Sequence, residues 1–137
     1  GSIKVSSLYL PPNEAWCRAD FDLLLATLGD KFIVGGDFNA KHQWWGNSRS
    51  CRRGRCLQEA IASTTCQVLA TGEPTFYSYN TRLNPSALDF FIVNRIALNR
   101  LTVETKYELA SDHLPVVATL HHAPQYNPKR EYILPPG

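Results

Sequence analysis

Short apolar runs bordered by small polar clusters constrain this chain more than any other feature. Phe32-Ile33-Val34-Gly35-Gly36 leads into Asp37-Phe38-Asn39, Ala87-Leu88-Asp89-Phe90-Phe91-Ile92-Val93 embeds a carboxylate, and Ser111-Asp112-His113 precedes Leu114-Pro115-Val116-Val117. Runs this short, rich in β-branched and aromatic residues, read as buried strands. The polar clusters then fall at strand ends and converge on one edge of a sheet, where ligand and catalytic groups of sheet proteins commonly gather.

The remaining elements fit that frame. Ile3 to Leu10 is a further β-rich run that stops at Pro11-Pro12, which lack the amide donors a continuing strand needs. Apolar residues from Ala15 to Leu28 recur at broadly helical spacing and Gly29 supplies a stop signal, which predicts a helix covering the sheet. Lys41 to Arg55 reads as a polar, basic and aromatic loop, and Leu57 to Thr65 as a second helix. Gln67 to Ala70, Thr75 to Tyr79, Ala87 to Val93, Leu101 to Tyr107 and Leu114 to Leu120 read as strands, with Gly72 and Pro74 as punctuation. Alternation followed by a strand-rich stretch predicts an α/β fold, a mixed sheet with helices on one face. Pro124 to Gly137 has the punctuation of a linker, and Gly1-Ser2 reads as a cloning scar. Residues 3–123 are expected to form one unit of a longer protein, since the chain contains no methionine.

Composition narrows the classes. With 44% hydrophobic and 19% charged residues, the 137-residue chain is globular rather than disordered. No run approaches the ~18 apolar residues of a membrane span and no signal peptide opens the chain, so an intracellular protein without a membrane partner is expected. Cys17, Cys51, Cys56 and Cys66 form no C-x-x-C pair, and reduced thiols are the simplest reading. A net charge of +2 permits a phosphate-rich partner without arguing for one.

The chemistry starts at Asp89, because a carboxylate inside so apolar a run is costly to bury without a cation, a histidine or a metal beside it. His113 is the natural partner. A carboxylate on one ring nitrogen fixes the tautomer and raises basicity, leaving the other nitrogen to face substrate. Asp37, Asn39 and Asp112 offer hard oxygen ligands and an amide donor, which suits magnesium or manganese and a phosphate rather than zinc. Asp112 as a turn or helix cap is the competing structural role.

Four segments now fall in order: Ser7-Leu8-Tyr9-Leu10-Pro11-Pro12, Gly36-Asp37-Phe38-Asn39-Ala40, Leu88-Asp89-Phe90-Phe91-Ile92 and Ser111-Asp112-His113-Leu114-Pro115. In order and spacing they resemble the motifs of the exonuclease-endonuclease-phosphatase superfamily. Lys41-His42-Gln43-Trp44-Trp45-Gly46 and Pro74-Thr75-Phe76 are similar to the branch carried by non-LTR retrotransposons, in particular insect elements of jockey and R1 type. The resemblance implies part of the four-layer α/β/β/α sandwich of the deoxyribonuclease I-like fold. It also implies a Mg2+- or Mn2+-dependent endonuclease that nicks target DNA to prime reverse transcription. His113 would be the base that activates water, Asp89 its orienting partner, and Asp37 the group that positions the water. Asn39 would hold the scissile phosphate, Tyr9 would hydrogen-bond it, and Asp112 would bind the metal. Thr75, Ser111, Trp44 and Arg53 become candidates for substrate binding. Bland rivals stay open: Tyr9 as a core tyrosine, Trp44 and Trp45 as packing, and Arg49, Arg52, Arg53 and Arg55 as a solvated loop rather than a phosphate site.

The resemblance begins inside the family's domain, without its opening asparagine strand and its metal-binding glutamate strand. The chain is therefore expected to be inactive alone, or to be a non-catalytic binding or dimerisation module. Val5, Leu8, Ile33, Leu88, Phe90, Ile92, Val116 and Ala118 are the candidates for an uncovered inner sheet face that a second copy would close. DNA and the element's RNA–protein complex are the implied partners, and the nucleus the implied place of action. A phosphatase of the same superfamily is disfavoured by the tryptophan-containing loop.

Overall fold

The structure, a computed structural model, describes residues 1–107 and 111–124. Four strands, β1 (Lys4–Tyr9), β2 (Phe32–Asp37), β3 (Gln67–Leu69) and β4 (Asp89–Asn94), form one sheet in the order β1-β2-β4-β3. β1 runs parallel to β2, and β4 runs antiparallel to both its neighbours, so the sheet is mixed. β5 (Leu101–Thr105) and β6 (Val116–Leu120) form a separate antiparallel pair.

Strand register decides what each face of the sheet packs against. Ser6, Val34, Ile92 and Val68 lie in one row, and Val5, Ile33, Val93 and Gln67 lie in the next, on the opposite face. The first face buries Phe32, Val34, Val68, Phe90 and Ile92 against helix α1 (Arg18–Thr27) and helix α2 (Arg52–Ala62), through Phe21, Leu25, Leu57, Ala60 and Ile61. Trp45 and Phe38 complete this core, both fully buried, with Phe38 stacked on Phe90 at 4.5 Å. On the second face Leu69 and Val93 pack with Ile96 and Leu101, and Val103 and Ala118 of the second sheet join them. The β1 side of that face stays open, with Val5 74% exposed.

Several expectations shift. Helix α1 starts at Arg18 rather than Ala15, because Glu14 N–H bonds Pro11 O in a turn and Asp20 reaches back to Cys17 N at 2.9 Å. Helix α2 starts at Arg52, ahead of Leu57, and ends at Ala62. Its N-cap is Cys51, whose Sγ accepts from Gly54 N, and arginine is a good helix former, so the basic residues join the first turn instead of the loop. Thr75 to Tyr79 makes no strand; Phe76 forms isolated bridges to Ser86 and His113 instead. The proposed inner face mixes two sides. Leu8, Phe90 and Ile92 pack with the helix-side core, Val5 and Ile33 lie on the opposite face, Val116 and Ala118 belong to the second sheet, and Leu88 is buried just before β4. Residues 125–137 of the expected linker lie outside the described residues.

Candidate active site

The sheet register brings the predicted residues together. Tyr9, Asp37 and Asp89 are cross-strand neighbours in one row, at the end of β1, the end of β2 and the start of β4, on the helix-free face. The close approach of β1 to β2 here depends on Gly36, whose φ is +152° and where a Cβ would sit 1.8 Å from Leu8 O. Past β2 the chain turns sharply. Asn39 adopts a left-handed φ of +46°, which asparagine tolerates, its N–H donates to Asp37 Oδ1 at 2.9 Å, and its Nδ2 donates to Leu10 O at 2.7 Å.

His113 and Asp89 form the dyad expected of them. The Nδ1 of His113 lies 2.8 Å from Asp89 Oδ2. A carboxylate can only accept, so this contact holds the Nδ1–H tautomer and leaves the Nε2 lone pair free to act as a base. Nε2 faces Asp37 Oδ2 across 3.7 Å, too far for a direct hydrogen bond. Burial pushes the Asp37 carboxyl above its usual range and the Asp89 charge adds to this, against the lowering effects of the Asn39 amide, His113 and Arg53.

Thr75 and Phe76 brace the dyad. Thr75, 1% exposed, donates its hydroxyl to Asp89 Oδ2 at 2.7 Å and accepts from the Leu88 and Asp89 amides at 3.0 and 3.1 Å. Its hydroxyl is thus committed inside the protein and reaches substrate only through Asp89. Phe76 packs its ring on His113 with centroids 4.9 Å apart, while Leu114 N bonds Thr75 O and Tyr77 N bonds Asp112 O. The sequence flagged Pro74-Thr75-Phe76 by resemblance alone; a strand pattern gave no sign that the segment straps the Ser111–Leu114 turn.

The other candidates divide by exposure. Tyr9 is 63% exposed, which excludes the core-tyrosine reading, and no hydrogen bond of its hydroxyl is seen among the described residues. Ser111 Oγ donates to Asp112 Oδ1 and accepts from His113 N, so it shapes the turn that presents the histidine. Arg53 is buried rather than solvated: its guanidinium donates to Phe38 O and Pro11 O at 3.2 and 2.8 Å and to Glu14 O. It ties the ends of β1 and β2 together beneath the site. Trp45 is core, its indole N–H on Ala40 O at 2.8 Å; Trp44 is half-buried against that core and its ring meets His42 edge-on. Neither indole lines the cavity beside His113, which reaches about 830 Å³ and is bordered by Pro12, Asn39, Lys41, Arg53, Phe76 and Leu88 among others.

Asp37, Asp89 and His113 offer ligand atoms within 4.8 Å of one another, the only group of its kind among the described residues. Asp89 and His113 are already bonded to each other, so Asp37 is the oxygen donor of this group open to a hard divalent ion. The raised Asp37 pKa supports the fit, since a cation would relieve a desolvated carboxyl that sits beside another. Asp112, expected as the metal ligand, is exposed and stands outside this group, because its turn directs it to Ser111.

Residues 3–117 match the family described as endonuclease-reverse transcriptase. The chain belongs to that family. Its relatives are proteins of mobile elements: the chain is 56% identical over its full length to the RNA-directed DNA polymerase from mobile element jockey of Drosophila funebris and 58% identical over 134 residues to that of Drosophila melanogaster. It is 37% identical over 134 residues to a probable RNA-directed DNA polymerase from transposon X-element of the same fly. In each case the chain spans about 15% of the relative's length. The endonuclease domain of TRAS1, a telomere-specific non-LTR retrotransposon, superposes with a TM-score of 0.69 at 23% identity, over 82% of this chain and 53% of that one. This endonuclease-family chain therefore has part of the deoxyribonuclease I-like fold, as its motif order implied.

Proposed function

We propose that this chain carries the general-base part of a divalent-metal-dependent endonuclease site that nicks DNA so that the element's reverse transcription can be primed. The observation that carries the reading is the Thr75–Asp89–His113 relay, which leaves Nε2 facing Asp37 across 3.7 Å. A water held between those two groups is positioned by Asp37 and gives its proton to Nε2, while Asp89 stabilises the imidazolium that forms. Asn39 and Tyr9 donate to the scissile phosphate from the ends of β2 and β1. Magnesium or manganese would take oxygen donors from Asp37, with Asp112 as the further donor the resemblance implies, and would neutralise charge on the phosphate oxygens. DNA is the substrate on this reading, the element's RNA–protein complex the assembly, and the nucleus the place of action.

Asp37 is the one clustered carboxylate not already committed to the histidine, so the chain by itself supplies few metal ligands. Plasmid nicking tests both points. A full-length element protein containing this segment is expected to convert supercoiled plasmid to nicked circles with either metal and to stop on chelation, whereas the isolated chain is slower by several decades. No metal-dependent nicking by the full-length protein would overturn the function, and robust nicking by the isolated chain would overturn its inactivity.

A non-catalytic dimerisation module is the second reading, favoured by the exposure of Val5 on the helix-free face beside half-buried Ile33.

A further inference from the structure

We propose that the groove between the Lys41–Ser50 loop and the turn joining Phe76 to Ser86 is a second phosphodiester subsite, which holds the DNA strand away from the scissile phosphate. The inference rests on the DNA-cleaving reading above. Lys41, Arg49 and Arg82 line a groove of about 390 Å³ together with Asn47, Ser78 and Asn84, and no carboxylate is among its lining residues. Among the described residues none of the three cations has an ion-pair partner. Cations gathered along one groove without counter-charge give a positive potential that a polyanion neutralises, with release of the polyanion's own counterions. The groove shares Lys41, Phe76 and Ser86 with the His113 cavity, so one strand can run from one to the other.

Both walls are fixed before any ligand arrives. On one side Asn47, 8% exposed, donates to His42 O and Ala87 O and accepts from Ala87 N, and Gln43 Nε2 holds Ser48 O. Gly46 turns this loop at a φ of +110°, where a Cβ would lie 2.5 Å from Gly72 O. On the other side Phe76 and Ser86 exchange amide bonds of 2.9 and 3.0 Å, and the Arg82 and Leu83 amides both bond Asn80. Backbone walls braced in this way reduce the ordering cost of binding to that of the cationic side chains. Contacts from these guanidinium and ammonium groups to phosphate oxygens set affinity and register without sequence preference.

The test is a salt titration of DNA binding by this chain, read by fluorescence anisotropy on short labelled duplexes of unrelated sequence, for wild type, R49A/R82A and R49K/R82K. The slope of log K against log salt is expected to shrink by ~0.9 for each phosphate contact removed, so by about 2 in the alanine double variant. Affinity should fall roughly tenfold or more at low salt on every duplex, while the lysine variant keeps most of it. An unchanged slope in a folded alanine variant would overturn the proposal. So would a loss confined to one duplex, or a wild type that binds no DNA. Failure of the catalytic reading shows separately, as absent metal-dependent nicking by the full-length protein.

Discussion

Arg53 borders the site and serves it by tying down the backbone beneath it. A buried guanidinium offers donors in a rigid fork, and three backbone carbonyls from Pro11, Glu14 and Phe38 occupy it. Arg53→Ala leaves those carbonyls without their cation, at about 3–5 kcal/mol given ~1.5–3 kcal/mol for a hydrogen bond to a charged group and incomplete additivity. Thermal melts should fall by roughly 10 °C, with Arg53→Lys recovering part of the loss. A melt within a degree or two of wild type would show that the fork contributes nothing. From sequence, Arg53 was one of several arginines in a basic stretch, because nothing local distinguishes a cation that packs under a loop from one that points to water. Asp89 and His113 were legible for the opposite reason. A carboxylate inside an apolar run demands a partner, and the chain offers one histidine beside a strand start.

At the scale of elements, all six strands were legible from short apolar or β-rich runs and both helices were expected, with element ends displaced. Helix α2 gained a turn because a cysteine thiol serves as its N-cap, a role rarely assigned to that residue. The strand expected at Thr75 did not form, since its amides and carbonyls bond Ser86, Asp112 and Leu114 around the histidine turn rather than a sheet. Long-range pairing of this kind leaves no periodic trace. The β1–β2 contact yields a direct prediction. Gly36→Ala would drive a Cβ to within 1.8 Å of Leu8 O, so β1 must move away from β2. A stability loss of about 2–4 kcal/mol is expected, with faster amide exchange along β1. Unchanged exchange would mean that the sheet absorbs the methyl elsewhere.

For the whole molecule, the parity of the strands left one face half-covered. The β5–β6 pair closes over Leu69 and Val93, and the β1 end carries Val5 in the open. Leaving apolar sheet surface in water favours association, so sedimentation equilibrium of this chain is expected to show self-association, weakened by Val5→Glu. A folded monomer at high micromolar concentration would remove the dimer. The dyad is the centre of the account. Its most direct measurement is the single-turnover nicking rate of the full-length protein carrying His113→Ala or Asp89→Asn, with melts to confirm folding. Loss of a positioned base should lower the rate by ~10²–10⁴-fold in the histidine variant, and Asp89→Asn should approach it, because the amide no longer holds the required tautomer. A folded His113→Ala protein that nicks at near the wild-type rate would contradict the role assigned to this site.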